Sequence, residues 1–154
     1  MYNHILVPLD GSELAECVLP HLQAIATGCK VANITLIRVV EPLHLYGGLE
    51  SRIDVTEKQR LENDATNVAK EYLKKLAKKL EDKEITAQPQ VLYGNVLEQL
   101  MNHINENEID LVIIATHGRS GISRLALGST ADKILRSCCV PILMVRAPGC
   151  AIEG

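Results

Sequence analysis

Phenylalanine and tryptophan are absent from this chain of 154 residues, and tyrosine occurs only four times. The core must therefore be packed almost entirely from aliphatic side chains. No apolar run approaches the length that a membrane span requires. The start, Met1 to His4, carries no lysine or arginine, and the apolar run at 5–9 is too short for a signal peptide. We expect a cytoplasmic protein with no membrane partner.

Cysteine pairs and excess basic charge are also lacking. The five cysteines are odd in number and show no C-x-x-C spacing, so we expect reduced thiols that act as small apolar residues. A redox role for the adjacent pair Cys138 and Cys139 is the weaker alternative. The net charge is −3, and the lysines of segment 70–83 are balanced by acidic residues, as on a solvated helix face. This composition argues against a nucleic acid as partner.

The remaining composition is typical of a globular protein, with 47% hydrophobic and 23% charged residues. The length suits one domain, which we expect to span residues 1–147, followed by a short C-terminal tail at 148–154. Apolar segments bounded by turn residues predict five strands, and amphipathic segments between them predict four helices. The predicted strands cover 4–9, 33–40, 86–92, 111–115 and 141–145.

Strands and helices alternate along the chain, and the strands are apolar on both faces. This pattern predicts an α/β fold with a five-stranded parallel sheet in the order 3-2-1-4-5 and helices on both sides. Sheets of this kind bind ligands at the carboxyl ends of the strands where the strand order reverses, here between the first and fourth strands. Asp10 closes the first of these strands and Thr116 closes the fourth, so a ligand is expected between them.

Local signals predict where the helices begin and end. Ser12 is the expected cap of the first helix and Gly28 its expected end. Pro20 is predicted to lie inside this helix and to kink it or leave one carbonyl unpaired. Asn95 and Glu98 form a pair typical of a capped helix start. A loop is expected over 41–56, where proline and glycine interrupt the pattern.

Two further helices have predicted inward faces. The long helix is expected over about 56–81, with lysine and glutamate on its outer face. Its inward stripe is predicted to comprise Leu61, Ala65, Val68, Tyr72, Leu76 and Leu80. The last helix is predicted to place Ala131, Ile134, Leu135 and Cys138 on one face.

The stretch 109–136 combines a buried strand, a glycine-bearing loop and a helix that opens at Ser129-Thr130. Glycine permits close backbone approach, and the first N–H groups of a helix favour an anion, so this arrangement predicts a phosphate site. The spacing matches neither the Walker loop nor the dinucleotide fingerprint. It is also one residue short of a nucleophile elbow, which requires G-x-S-x-G.

With these residues the chain resembles the universal stress protein family, and the resemblance covers nearly its whole length. Nucleotide-binding members share Gly, two residues, Gly, nine residues, Gly, then Ser or Thr, and Gly118, Gly128 and Ser129 fit that register. The first glycine of the pattern falls at Ala115, whose methyl group is the smallest addition to glycine and narrows the room for a phosphate or ribose. The opening I-L-V-P-L-D-G-S and the segment V-P-I-L-M-V-R are also similar to the family.

The resemblance implies a Rossmann-like adenine-nucleotide-binding fold that binds ATP with Mg²⁺ or Mn²⁺. It implies that Asp10 and Val39 contact the adenosine, and that the loop glycines with Ser129 and Thr130 contact the phosphates. Asp10 is also a candidate metal ligand, because hard cations prefer carboxylate oxygen. With the adjoining strand-end residues, the predicted nucleotide site comprises Pro8, Asp10, Val39, Ala115, Thr116, His117, Gly118, Gly128, Ser129 and Thr130.

Structural roles compete with these assignments. Loop glycines often serve only as turn residues, Ser129 is an excellent helix cap, and Asp10 stabilises a turn before glycine. His117 has no acid-base partner at a diagnostic spacing, so a catalytic residue is not predicted.

Three functions follow from this reading. The first is an ATP-binding stress protein that acts as a nucleotide-dependent sensor or regulator. The alternatives are a slow ATP hydrolase and a nucleotide-free dimeric interaction module in which Ala115 closes the site. A homodimer through the last strand is expected in each case, since an apolar edge strand needs covering. The sequence does not name a downstream protein partner.

Overall fold

A computed structural model describes residues 1–43, 54–116 and 129–146, the side chain of Ser129 excepted. Strands and helices alternate in this part of the chain. The strands are β1 (His4–Pro8), β2 (Asn33–Val40), β3 (Gln88–Tyr93), β4 (Leu111–Ala115) and β5 (Ile142–Val145). The helices are a 3₁₀ helix (Ala15–Val18), α1 (Leu19–Cys29), α2 (Val55–Glu81), α3 (Val96–Glu106) and α4 (Ser129–Ser137).

The five strands form one parallel sheet in the order β3-β2-β1-β4-β5. The fold class and strand order predicted from the sequence are confirmed. Two aliphatic clusters cover the two faces of the sheet. On one face, the side chains of alternate strand residues such as Val7 and Leu36 pack against α1 and α2. On the other face, neighbouring strand residues such as Leu6 and Ile37 pack against α3 and α4.

The first helical segment differs from the prediction. It begins as a 3₁₀ helix, where the Ser12 hydroxyl accepts a hydrogen bond from the Ala15 amide at 3.2 Å. Pro20 occupies the first turn of α1, where a missing N–H costs nothing, so the predicted kink inside the helix is wrong. Helix α1 continues through Gly28 and ends at Cys29, and the left-handed residue after it is Lys30 with φ 53°.

The inward stripes of α2 and α4 are only partly confirmed. The residues Leu61, Ala65 and Val68 are exposed, because the first half of α2 does not pack into the core. Its buried positions lie in the second half: Ala69, Leu73, Leu76, Ala77 and Leu80. In α4, Leu135 is 46% exposed, whereas Ala131 and Ile134 are buried.

Two local predictions on the β3 side of the molecule are confirmed. The Asn95 side chain accepts a hydrogen bond from the Glu98 amide at 3.1 Å and caps α3. Strand β3, which contains Pro89, lies at an edge of the sheet. The strand begins at Gln88 rather than at residue 86. Most of the predicted loop over 41–56 lies outside the described residues, and α2 already begins at Val55.

Candidate functional site

The strand register brings three predicted site residues to one level at the carboxyl edge of the sheet. Pro8 at the end of β1 pairs with Ile37 of β2. The same register, continued for two residues, brings Asp10 level with Val39. On the other side of β1, Leu6 pairs with Val112. The same register, continued for four residues beyond this pair, would bring Asp10 level with Thr116. Strands β2, β1 and β4 are neighbours at the point where the strand order reverses, the usual ligand position in this class of sheet.

The side chains around this point share the face covered by α3 and α4. Val39 is half-buried and packs against the aliphatic cluster of that face. Strand alternation places Thr116, which is buried, on the same face as Ile114. Helix α4 lies on this face as well and follows β4, so its N-terminus is at the carboxyl edge of the sheet. The positive end of its dipole favours an anion there.

Asp10 closes the turn after β1. Its Oδ1 accepts hydrogen bonds from the Ser12 amide at 2.9 Å and from the Ser12 hydroxyl at 2.6 Å. The same hydroxyl accepts from the Ala15 amide, so one chain of hydrogen bonds holds the turn to the 3₁₀ helix. The turn-stabilising role of Asp10 is thus visible in the structure, and it fixes the position of the carboxylate at the strand end.

The side chain of Ala115 lies on the opposite face of the sheet from Val39. It packs against the cluster beneath α1 and α2. Its methyl group therefore extends away from the face that carries Val39 and the N-terminus of α4. An alanine in place of the glycine of the family pattern fills core space at this position.

The remaining predicted site residues lie in sequence between β4 and the first turn of α4. His117, Gly118 and Gly128 lie outside the described residues. Helix α4 begins at Ser129, as predicted, and Thr130 in its first turn is half-buried.

Within the described ranges, no group of three or more histidine, cysteine, aspartate or glutamate side chains is arranged to hold a metal ion. Asp10 is the carboxylate at the candidate site. One carboxylate is compatible with Mg²⁺, which commonly takes one or two protein carboxylates and completes its shell with phosphate oxygens and water. Asp10 would be the protein ligand of such an ion.

The sequence reading missed Arg38, which is the only charged residue of β2. Its guanidinium carbon lies 5.6 Å from the centroid of the Tyr72 ring on α2. An ideal Cβ built on Gly11, which has φ +85°, would lie 2.6 Å from Nη1 of Arg38. A single charge inside an otherwise apolar strand was the available signal.

A second polar cluster lies at the opposite, amino edge of the sheet. The Asp110 carboxylate accepts hydrogen bonds from the amides of Asn3 and His4. The His4 ring bonds the Asn107 carbonyl and the Thr35 hydroxyl, both at 2.9 Å. This cluster fastens the start of β1 to the end of α3 and lies away from the candidate ligand position.

His103 is the buried member of this cluster. Its Nδ1 lies 3.3 Å from the side-chain nitrogen Nδ2 of Asn107. Its Nε2 has no hydrogen-bond partner within the part of the chain that the structure describes. Burial lowers the pKa of His103, His4 lowers it further, and Glu106 acts in the opposite direction.

A profile described as the universal stress protein family matches residues 1–146. Universal stress protein MJ0577 of Methanocaldococcus jannaschii is 26% identical over 157 residues, covering 95% of this chain and 96% of the relative. Universal stress protein A homolog 2 of Coxiella burnetii is 33% identical over 156 residues, covering 96% and 97%.

Solved structures agree with these sequence relatives. The structure of MJ0577 superposes with a TM-score of 0.80 at 27% identity, covering 95% of this chain and 96% of that one. A universal stress protein in complex with cAMP shares the fold at a TM-score of 0.59 and 18% identity, covering 95% and 98%. An Arabidopsis thaliana protein of the universal stress protein family, with AMP bound, shares the fold at a TM-score of 0.61 and 10% identity, covering 96% of this chain and 93% of that one.

Among the residues that the structure describes, no helix is both long and apolar enough to cross a membrane.

Proposed function

We propose that this chain, which belongs to the universal stress protein family, binds ATP at the carboxyl edge of its sheet and acts as a nucleotide-dependent regulator. The observation that carries the proposal is the strand register, which, continued past the paired residues, brings Asp10 just after β1, Val39 in β2 and Thr116 just after β4 to one level. Polar strand ends at the reversal point of a parallel sheet form the usual ligand crevice of such folds. Two proteins of the same fold hold cAMP and AMP.

The two ends of the ligand meet different chemistry in this arrangement. Val39 offers an aliphatic wall of the kind that suits the face of a base, and Asp10 offers a carboxylate that accepts hydrogen bonds from ribose hydroxyls. The phosphates lie toward the N-terminus of α4, where Ser129 and Thr130 begin the helix. Gly118 and Gly128, which lie outside the described residues, are the glycines of the family pattern, and glycine at these positions would permit close approach of the backbone to the phosphates.

Asp10 has a second possible role at the phosphate end. A divalent cation that bridges the phosphates, Mg²⁺ or Mn²⁺, would take Asp10 as its protein ligand. This role predicts that ATP binding is stronger with Mg²⁺ than with EDTA, and that the difference disappears in Asp10→Asn.

Titration calorimetry on protein stripped of nucleotide by unfolding and refolding tests the binding. We expect saturable binding of ATP with Mg²⁺, weakened about tenfold or more in Asp10→Asn because a hydrogen bond to a charged group is lost. Gly118→Val is expected to weaken it too. Asp64→Asn, on the exposed face of α2, is the matched control and should bind as the wild type does. A folded wild type that shows no heat of binding contradicts the proposal and favours a nucleotide-free interaction module.

The regulatory part of the proposal requires the nucleotide to change the protein. Limited proteolysis with and without ATP measures this change, and we expect slower cleavage near 117–128 when ATP is bound. Equal cleavage would contradict a nucleotide-dependent state. ATP turnover that survives repurification and falls in Asp10→Asn would instead favour the slow hydrolase.

A second copy of the chain is the proposed protein partner. Strand β5 lies at an edge of the sheet, and its residues Ile142, Leu143 and Met144 are only half-buried. An apolar edge strand is prone to pair with another chain. Sedimentation at micromolar concentration should give a dimer for the wild type and a monomer for Met144→Lys, with circular dichroism as the check on folding. A monomeric wild type contradicts this pairing.

A further inference from the structure

Arg38 connects the candidate site to the opposite face of the sheet. It precedes Val39, and strand alternation places it on the α1 and α2 face with Ile34 and Leu36. Its guanidinium lies against Tyr72 on α2, with the ring centroid 5.6 Å from Cζ. This distance is typical of a cation that rests on an aromatic ring.

The guanidinium also lies close to the turn that carries Asp10. A Cβ on Gly11 would lie 2.6 Å from Nη1 and 2.8 Å from Cζ, which is closer than real Cβ contacts. Arg38 therefore occupies the space where any other residue at position 11 would place its side chain. The guanidinium thus lies next to the chain at Gly11, the residue after Asp10.

Electrostatics supports the same grouping. Burial raises the pKa of Tyr72, the carboxylates of Glu16 and Asp10 raise it further, and Arg38 acts in the opposite direction. The hydroxyl of Tyr72 thus feels both Asp10 and Arg38 and stays neutral. The cation therefore lies close both to the Tyr72 ring and to the Asp10 turn.

We infer that Arg38 is a positioning residue for nucleotide binding: it holds the Gly11 turn from below and so sets the height of the Asp10 carboxylate at the ligand crevice. This inference rests on the proposed ATP binding. Residues 38 and 39 then serve the site from opposite faces of β2. Val39 lines the crevice, while Arg38 supports the turn and links it to α2 through the Tyr72 ring.

A double-mutant cycle on ATP affinity tests the inference. We expect Arg38→Met to weaken ATP binding about tenfold in the wild type and less than about twofold in the Asp10→Asn background, since residues that act through one another are not additive. Arg60→Met, on the exposed surface of α2, is the matched control and should leave affinity unchanged. Equal losses in both backgrounds would show a general packing role and overturn the inference.

The failure of ATP binding and the failure of this inference give different results. If the wild type binds no ATP, the proposed function fails. If it binds and Arg38→Met binds equally well, only the role of Arg38 fails. Amide hydrogen exchange measured without ligand provides the second readout. We expect the amides of Gly11 and Ser12 to exchange faster in Arg38→Met than in the wild type, and at the wild-type rate in Arg60→Met. Wild-type exchange rates in both variants would overturn the inference.

Discussion

Mild acid should destabilise this protein through His103. The side-chain nitrogen Nδ2 of Asn107, a donor, lies 3.3 Å from Nδ1 of His103, which must therefore act as an acceptor and carry no proton. The Nε2 proton is then buried without a partner among the described residues. A second proton on Nδ1 would place two donors against each other in a buried site. The lowered pKa of His103, caused by burial first and by His4 second, has the same direction.

The sign and size of the effect follow from proton linkage. The unfolded chain protonates His103 near its ordinary value of about 6.5, whereas the folded protein does so only at lower pH. The free energy of unfolding is therefore unaffected by the titration of His103 above about pH 6.5, and it decreases as the pH falls from there toward the lower pKa of the folded protein. One excess proton in the unfolded state corresponds to about 1.4 kcal/mol per pH unit. For a domain of this size that loss is about 3–6 °C in Tm per pH unit.

Urea unfolding at pH 7.5 and at pH 5.5 measures this loss of stability. Most carboxylates titrate below this interval, so they contribute little to the difference. We expect His103→Gln to lose clearly less stability than the wild type over this interval, because glutamine does not titrate. His21→Gln, an exposed position on α1, is the matched control and should behave as the wild type. If the wild type and His103→Gln lose equal stability, or if His21→Gln removes the dependence equally well, the reasoning about His103 is wrong.

Three pairs of substitutions test local structure, and urea unfolding measures the effect of each on stability. Gly11→Ala should destabilise the protein, because φ at this position is +85° and Arg38 lies against the turn. Gly28→Ala should stabilise it by about 0.5–1 kcal/mol, because Gly28 lies inside α1 with nothing near an added Cβ. A less stable Gly28→Ala and a more stable Gly11→Ala would contradict both assignments. Leu100→Ala, in the core beneath α3, should cost about 2–5 kcal/mol, and the exposed Leu135→Ala much less; equal costs would restore the inward prediction for Leu135. Asn95→Ala should cost about 1 kcal/mol and Asn95→Asp little, unless the cap contributes nothing.

Much of the candidate site was predictable because its signals are short-range. Asp10 follows an apolar run, and Ser129 opens an amphipathic helix after a glycine-bearing loop. Each signal involves residues within a few positions of one another, where backbone preference and hydrogen bonding act directly. Arg38 carried a signal too, a lone charge in an apolar strand, but its meaning depended on Gly11 and Tyr72, which are distant in sequence.

The sequence by itself determined the alternation of strands and helices, the parallel sheet, the family and the residues expected at the ligand crevice. Periodicity and turn chemistry suffice for the strands, the helices and the sheet because they act along the chain, whereas the family and the nucleotide-contacting role of residues such as Val39 followed from the resemblance of the motifs. Only the tertiary structure decided that the first half of α2 stays exposed, that Leu135 faces outward and that Ala115 lies on the face opposite Val39. Those outcomes depend on which neighbouring elements cover each surface. Burial is a property of the assembled layers, so a local pattern identifies an apolar side chain without specifying what packs against it.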